Sequence, residues 1–211
     1  MHQDFNQLEV TGLTCILAEK TIFAGLTFGA RSADVVHLKG QNGSGKTSLL
    51  RMLCGFAQPI AGRMTWNGSQ YPGDTDTFRH KVGYISHRRG VSEELTPLEN
   101  LRFANELDSQ RSETACQNAL ERVQLTHVAK TPTRYLSAGQ NQRTALARLL
   151  VSNAPLWLLD EPFNALDPSG RSIAETLIAE HSGRGGISII ATHQLMSLGS
   201  IPTKTVDLDL C

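Results

Sequence analysis

Residues 40–48, GQNGSGKTS, follow an apolar run and match Gly-x4-Gly-Lys-Thr at Gly40, Gly45, Lys46 and Thr47. The chemistry of such a stretch is anion binding. Gly40, Gly43 and Gly45 let the backbone curl until successive N–H groups face one anion, and a helix opening there adds its partial positive charge. Gln41, Asn42, Ser44 and Ser48 complete the expected cradle. Lys46 is expected to reach the β and γ phosphates of a nucleotide, and Thr47 to offer its hydroxyl to Mg²⁺. A second cluster lies in WLLDE, 157–161, where Asp160 and Glu161 end an apolar run. Asp160 suits the second metal ligand, and Glu161 can polarise a water in line with the γ-phosphate. His193 ends a third apolar run, ISIIAT at 187–192. It can orient that water or touch the γ-phosphate.

The elements needed to bring these groups together are readable. Short strands are expected across 8–38, a helix over 48–54 closed by Gly55, a strand with an Asn-Gly turn at 63–68, and a strand at 81–86. From 96 to 150 the texture turns helical. Thr96, Pro97 and Glu99 form one capping box; Ser137 and Gln140 form another. Helices are expected over 112–123 and from Ser137 to a stop before Pro155. Uniformly apolar 156–159 and 187–192 read as buried parallel strands, and 170–181 as a helix capped by Ser169. The 203–211 stretch reads as an edge strand or a frayed end. The result is one α/β unit over 1–211, with a helical insertion at about 92–153. Its binding groups lie at the carboxyl edge of the sheet, where open α/β sheets take ligands.

Composition narrows the partners. Twenty basic and 20 acidic residues balance, so the basic excess typical of nucleic-acid binding is missing. The basic runs at 79–81 and 87–89 read as a solvated face. Cys15, Cys54, Cys116 and Cys211 have no zinc-type spacing. No signal peptide or membrane-spanning run is read, so membrane attachment is expected through another protein.

LSAGQ at 136–140, upstream of LLDEPFNALD, resembles the signature motif of the ABC-transporter ATPases, with Ala138 in place of the usual glycine. The resemblance covers about residues 8–195. It implies a P-loop NTPase core of RecA-like type with an N-terminal antiparallel β subdomain and an inserted α-helical subdomain. It also implies that two copies sandwich ATP and Mg²⁺. Ser137, Gly139 and Gln140 of one copy would then meet the γ-phosphate held by the other. Under the same resemblance Glu161 is the catalytic base, His193 the switch histidine, and Ala165, Leu166 and Asp167 the loop coupling the two sites.

Two positions depart from that pattern. His87 stands where the family has a glutamine near Mg²⁺. The aromatic that usually stacks on adenine is missing from CILAE, 15–19, which leaves Leu17 for the base. YISHRRG, LTPLENLRF and ATHQ are similar to the ATP-binding subunits of bacterial cytochrome c maturation haem-export complexes. That similarity implies a partner in the transmembrane component of such a complex. It also implies a place on the cytoplasmic face of the inner membrane or a mitochondrial counterpart, and haem export or haem-chaperone release. An ABC exporter for another substrate, or an ATP-gated scaffold with little turnover, uses the same residues.

Overall fold

The computed structural model describes residues 6–71, 78, 80–86, 90–106, 113–194, 196–199, 201 and 203–210. His87 and the basic run around it lie outside the described residues, as does Cys211.

The N-terminal strands are longer than their patterning suggests. β1 (Gln7–Leu17) and β2 (Lys20–Arg31) pair antiparallel through a turn in which Ala18 and Glu19 both take positive φ. Leu8 and Val10 face the core, and so do Leu13 and Cys15, one residue out of phase. Register shifts around Gly12, at φ 62°, absorb the extra residue. That bulge breaks the period-2 signal in the sequence. β3 (Val35–Lys39) belongs to the other sheet. β4 (Ala61–Trp66) and β5 (Ser69–Tyr71) complete the antiparallel sheet in the order β2-β1-β4-β5. Their turn is Asn67-Gly68, with φ of 51° and 78°, as the dipeptide predicts.

The second sheet is parallel throughout: β6 (Val82–Ile85), β7 (Leu156–Asp160), β8 (Ile187–Ala191), β3 and β9 (Thr203–Asp207), in the order β6-β7-β8-β3-β9. Every residue of β7 and β8 is buried. Alternation assigns the faces. Leu156 and Leu158 pack with Leu49, Leu50 and Leu53 of helix α1 (Lys46–Leu53) and with the antiparallel sheet. Trp157 and Leu159 pack on the other face with the helices. At the amino edge the Trp157 and His181 rings stack 3.9 Å apart and 6° from parallel.

Between β6 and β7 come α2 (Pro97–Glu106), α3 (Glu113–Arg122) and α4 (Ala138–Ser152). They share a core of Leu101, Cys116, Ala119, Leu120, Val123 and Leu146. Both capping boxes form. α4 stops at Asn153, which is left-handed at φ 48°, two residues before Pro155. α5 (Pro168–Gly183) corrects the expected cap. Asp167, not Ser169, is N-cap: it is extended, it accepts from Gly170 N at 2.7 Å, and Pro168 opens the helix. The expected edge strand at the end of the chain is β9.

Candidate functional site

Because β3, β7 and β8 are parallel, their carboxyl ends meet at one edge. Lys39 leads into the glycine loop, Asp160 ends β7 opposite Ala191, and Thr192 and His193 follow β8. A cleft of about 640 Å³ opens there. It is lined by Asn42, Gly43, Gly45, Lys46, Thr47 and Ser48 of the loop, by Asp160 and Glu161, by His193, and by Leu17, Ile22, Asn164 and Gln194.

The loop is held open by its glycines. Gly45 takes φ 96°, and a Cβ there would come within 2.5 Å of Ile22 and 2.9 Å of Phe23. Another residue would meet backbone strain and a collision together. Gly45 is also the N-cap of α1, and no side chain caps that helix start. Its first N–H groups therefore remain available as an anion site. Lys46 Nζ, largely buried, donates to the Gly40 and Gln41 carbonyls at 2.6 and 2.9 Å. The Ser44 hydroxyl is buried without a hydrogen-bond partner.

Thr47 Oγ1 donates to Asp160 Oδ2 at 2.7 Å. A hydroxyl and a carboxylate this close form a hard-oxygen pair of the kind a small divalent cation takes. Glu161 leaves the strand in a left-handed conformation, φ 51°, with its N–H still bonded to Ala191 O. Four residues on, Ala165 is also left-handed, φ 64°. Two such turns cost of order 1–3 kcal/mol each and gather at functional sites. Glu161 Oε2 accepts from Thr192 Oγ1 at 3.2 Å, and Oε1 lies 3.7 Å from His193 Nε2. The His193 ring is half exposed to the cleft side.

The signature residues sit elsewhere. Ser137 and Gln140 satisfy one another: Ser137 N donates to Gln140 Oε1 at 2.9 Å, and Gln140 N to Ser137 Oγ at 3.1 Å. The Gln140 side chain is thereby engaged in the cap. The box does not use the N–H groups of Ala138 and Gly139. None of these four residues lines the cleft of its own chain. Gly139 instead comes close to the loop after Glu161, the acidic loop. A Cβ on Gly139 would lie 2.7 Å from the Ala165 carbonyl, so only glycine permits this approach. Gln142, also on α4 and buried, donates to Pro162 O at 2.9 Å, one residue past Glu161.

Leu17 lines the cleft as the missing aromatic suggested, and Ile22 stands beside it. Asn164, Thr192 and Gln194 are site residues that motif reading passed over. Arg171 Nη1 donates to Gln194 Oε1 at 2.9 Å, while Gln194 N donates to Thr192 Oγ1 at 3.1 Å. A network therefore fixes the segment around His193. Its only sequence signal is proximity to the histidine and the acid pair.

Known proteins resemble this chain in sequence and in fold. Residues 23–164 match the family model described as ABC transporter. The cytochrome c biogenesis ATP-binding export protein CcmA of Dechloromonas aromatica is 44% identical over 200 residues, covering 94% of this chain and 97% of that one. The protein of the same name from Mannheimia succiniciproducens is 41% identical over 193 residues, covering 91% and 90%. Among solved structures, one described as the ATP binding subunit of an ABC transporter superposes with TM-score 0.82 at 26% identity, over 89% of this chain and 80% of that one. A dimeric ATP-binding cassette bound to ADP and Pi shares the fold, with TM-score 0.80 at 22% identity over 89% and 88% of the two chains. The chain belongs to the ABC transporter family, as an ATP-binding subunit closely similar to the cytochrome c biogenesis ATP-binding export proteins.

Proposed function

We propose that this protein is the ATP-hydrolysing motor of a membrane complex that handles haem during cytochrome c biogenesis. The observation that carries the chemistry is the single cleft in which the uncapped start of α1, the Thr47–Asp160 pair, Glu161 and His193 meet. The haem assignment rests on the 44% identity to an export protein of that process along almost the full length of both chains.

The loop N–H groups from Gly43 to Thr47 hold the phosphates, and Lys46 swings from the Gly40 and Gln41 carbonyls to the β and γ oxygens. Leu17 and Ile22 pack against the base, an aliphatic floor without the stacking an aromatic gives. Thr47 and Asp160 would hold Mg²⁺, which when bound screens the charge gathering on the phosphate oxygens. Glu161 takes a proton from the attacking water as its oxygen bonds to the γ-phosphorus and the bond to the bridging oxygen breaks, giving ADP and phosphate. His193, beside Glu161, keeps that water in line.

The site is completed by a second copy, whose Ser137 and Gly139 approach the γ-phosphate. That the α4 start does not line its own chain's cleft supports this reading. The partner is a transmembrane protein of the same complex, and the motor works at the cytoplasmic face of the inner membrane. Among the described residues no helix is long and apolar enough to cross a membrane. His87, which stands in the sequence where the family has a glutamine, is assigned a part in catalysis as an element of the same proposal.

Purified with its membrane partner, Glu161→Gln is expected to bind ATP normally and to lose turnover by about 10²-fold or more, with cytochrome c assembly lost in cells. Wild-type turnover in that variant would remove Glu161 from the chemistry. Full ATPase loss with normal cytochrome c assembly would remove haem from the assignment.

A further inference from the structure

β9 runs beside β3 with Asp207 opposite Lys39, the residue that enters the glycine loop. The chain then turns sharply. Asp209 N donates to Asp207 Oδ1 at 3.0 Å, and Leu208 is buried in the core. These two anchors direct the Asp209 carboxylate back at the loop. Both of its oxygens accept from the Gln41 N–H, at 3.0 and 3.1 Å. The other end of that same peptide group is the Gly40 carbonyl, which accepts from Lys46 Nζ at 2.6 Å. One peptide plane is therefore gripped twice, by a carboxylate on its N–H and by the phosphate-seeking ammonium on its C=O. The fit is close, since a Cβ on Gly40 would lie 3.3 Å from Asp209 Oδ1.

We propose that Asp209 is a positioning residue for ATP binding: it holds the Gly40–Gln41 peptide in the orientation that parks Lys46 over the cradle before nucleotide arrives. The inference rests on the nucleotide-binding reading above. Gln41, expected in the phosphate cradle, does not line the cleft and its N–H is taken by Asp209, so Asp209 does not compete with the ligand. It acts by keeping the loop in one shape, and so reduces the ordering cost of binding. The hydrogen bond is charge-assisted but exposed, which limits its worth. The effect belongs in affinity more than in the chemical step, because neither Glu161 nor the attacking water touches this peptide.

The experiment compares Asp209→Ala, Asp209→Asn and Lys46→Ala in the full chain, by titration with a fluorescent ATP analogue, steady-state ATPase kinetics and thermal melting. Asp209→Ala is expected to raise the Kd and the KM for ATP roughly three- to tenfold while kcat falls less than about twofold, since ordering is lost before the chemistry begins. Asp209→Asn keeps an oxygen that can accept from Gln41 N–H and is expected to recover most of the affinity. A lowered melting temperature in Asp209→Ala with Kd and KM unchanged would mean that the bond only pins the turn after β9, and would overturn the inference. Unchanged binding in Asp209→Ala beside lost binding in Lys46→Ala overturns it too, and leaves nucleotide binding standing. If Lys46→Ala binds the analogue as wild type does, both readings fall.

Discussion

Helix α1 begins at the glycine-rich loop and α4 at the LSAGQ motif, and their first turns are built in opposite ways. α1 starts at a left-handed Gly45 with no side-chain cap, at the edge of a deep cleft. α4 starts at an extended Ser137 with a complete capping box, away from that cleft. An open helix end binds an anion by itself, because its donors have no other partner. A boxed end has already used its outer two donors, at Ser137 and Gln140, and keeps only the pair between them. Under the proposed function the first start binds phosphate, and the second is a preformed lid piece that adds little affinity alone. α2 supplies the control: the Thr96 and Glu99 box has the same wiring and no phosphate motif.

Four substitutions test the contrast. Lys46→Ala should have the largest effect, a loss of ATP affinity of about 100-fold or more, some 2.7 kcal/mol, by equilibrium titration of the isolated chain. If affinity survives, the open start is not the site. Gly139→Ala comes next. Its methyl would press on the Ala165 carbonyl, so the acidic loop must shift. Turnover should fall roughly 10- to 100-fold, about 1.4–2.7 kcal/mol in the barrier, with ATP affinity of the single chain within about twofold. Equal losses of binding and turnover would erase the distinction between the two starts. The smallest effect belongs to the caps. Ser137→Ala and Thr96→Ala should each lower stability by ~1 kcal/mol, read as a similar drop in melting temperature. Only Ser137→Ala should also slow ATP turnover. Identical turnover in the two proteins would make the α4 box merely structural.

Much of this was legible because the signals are local. The glycine loop, the apolar β7 ending in Asp160 and the Asn67-Gly68 turn are contiguous patterns set by backbone geometry. The box at Ser137 has its two partners three residues apart. The cap of α5 was equally local, since Asp167 precedes Pro168, but the hydroxyl of Ser169 competed for the assignment. Other features have no local signature. The bulge near Gly12 shifts the phase of β1 and hides an 11-residue strand. The Asp209 bond to Gln41 spans 168 residues, and the Gln142 bond to Pro162 joins a helix to a loop. Such pairs exist only once the sheet has brought distant segments together. The left-handed turn at Glu161 is likewise a product of β7 ending beside β8.

The stacked ring pair at the amino edge of the sheet gives the molecule an acid weakness unrelated to nucleotide. Burial pushes the His181 imidazole from its ordinary 6.5 down to about 4, with the nearby Arg184 charge adding to the push. The folded chain keeps this ring neutral, while the unfolded chain protonates it near pH 6.5, so unfolding takes up a proton between those two values. The contribution of neutral His181 to stability is complete above pH 6.5 and is lost as the medium acidifies toward pH 4. His181→Phe, which preserves the stack on Trp157 without a titrating nitrogen, should flatten the melting temperature across that interval.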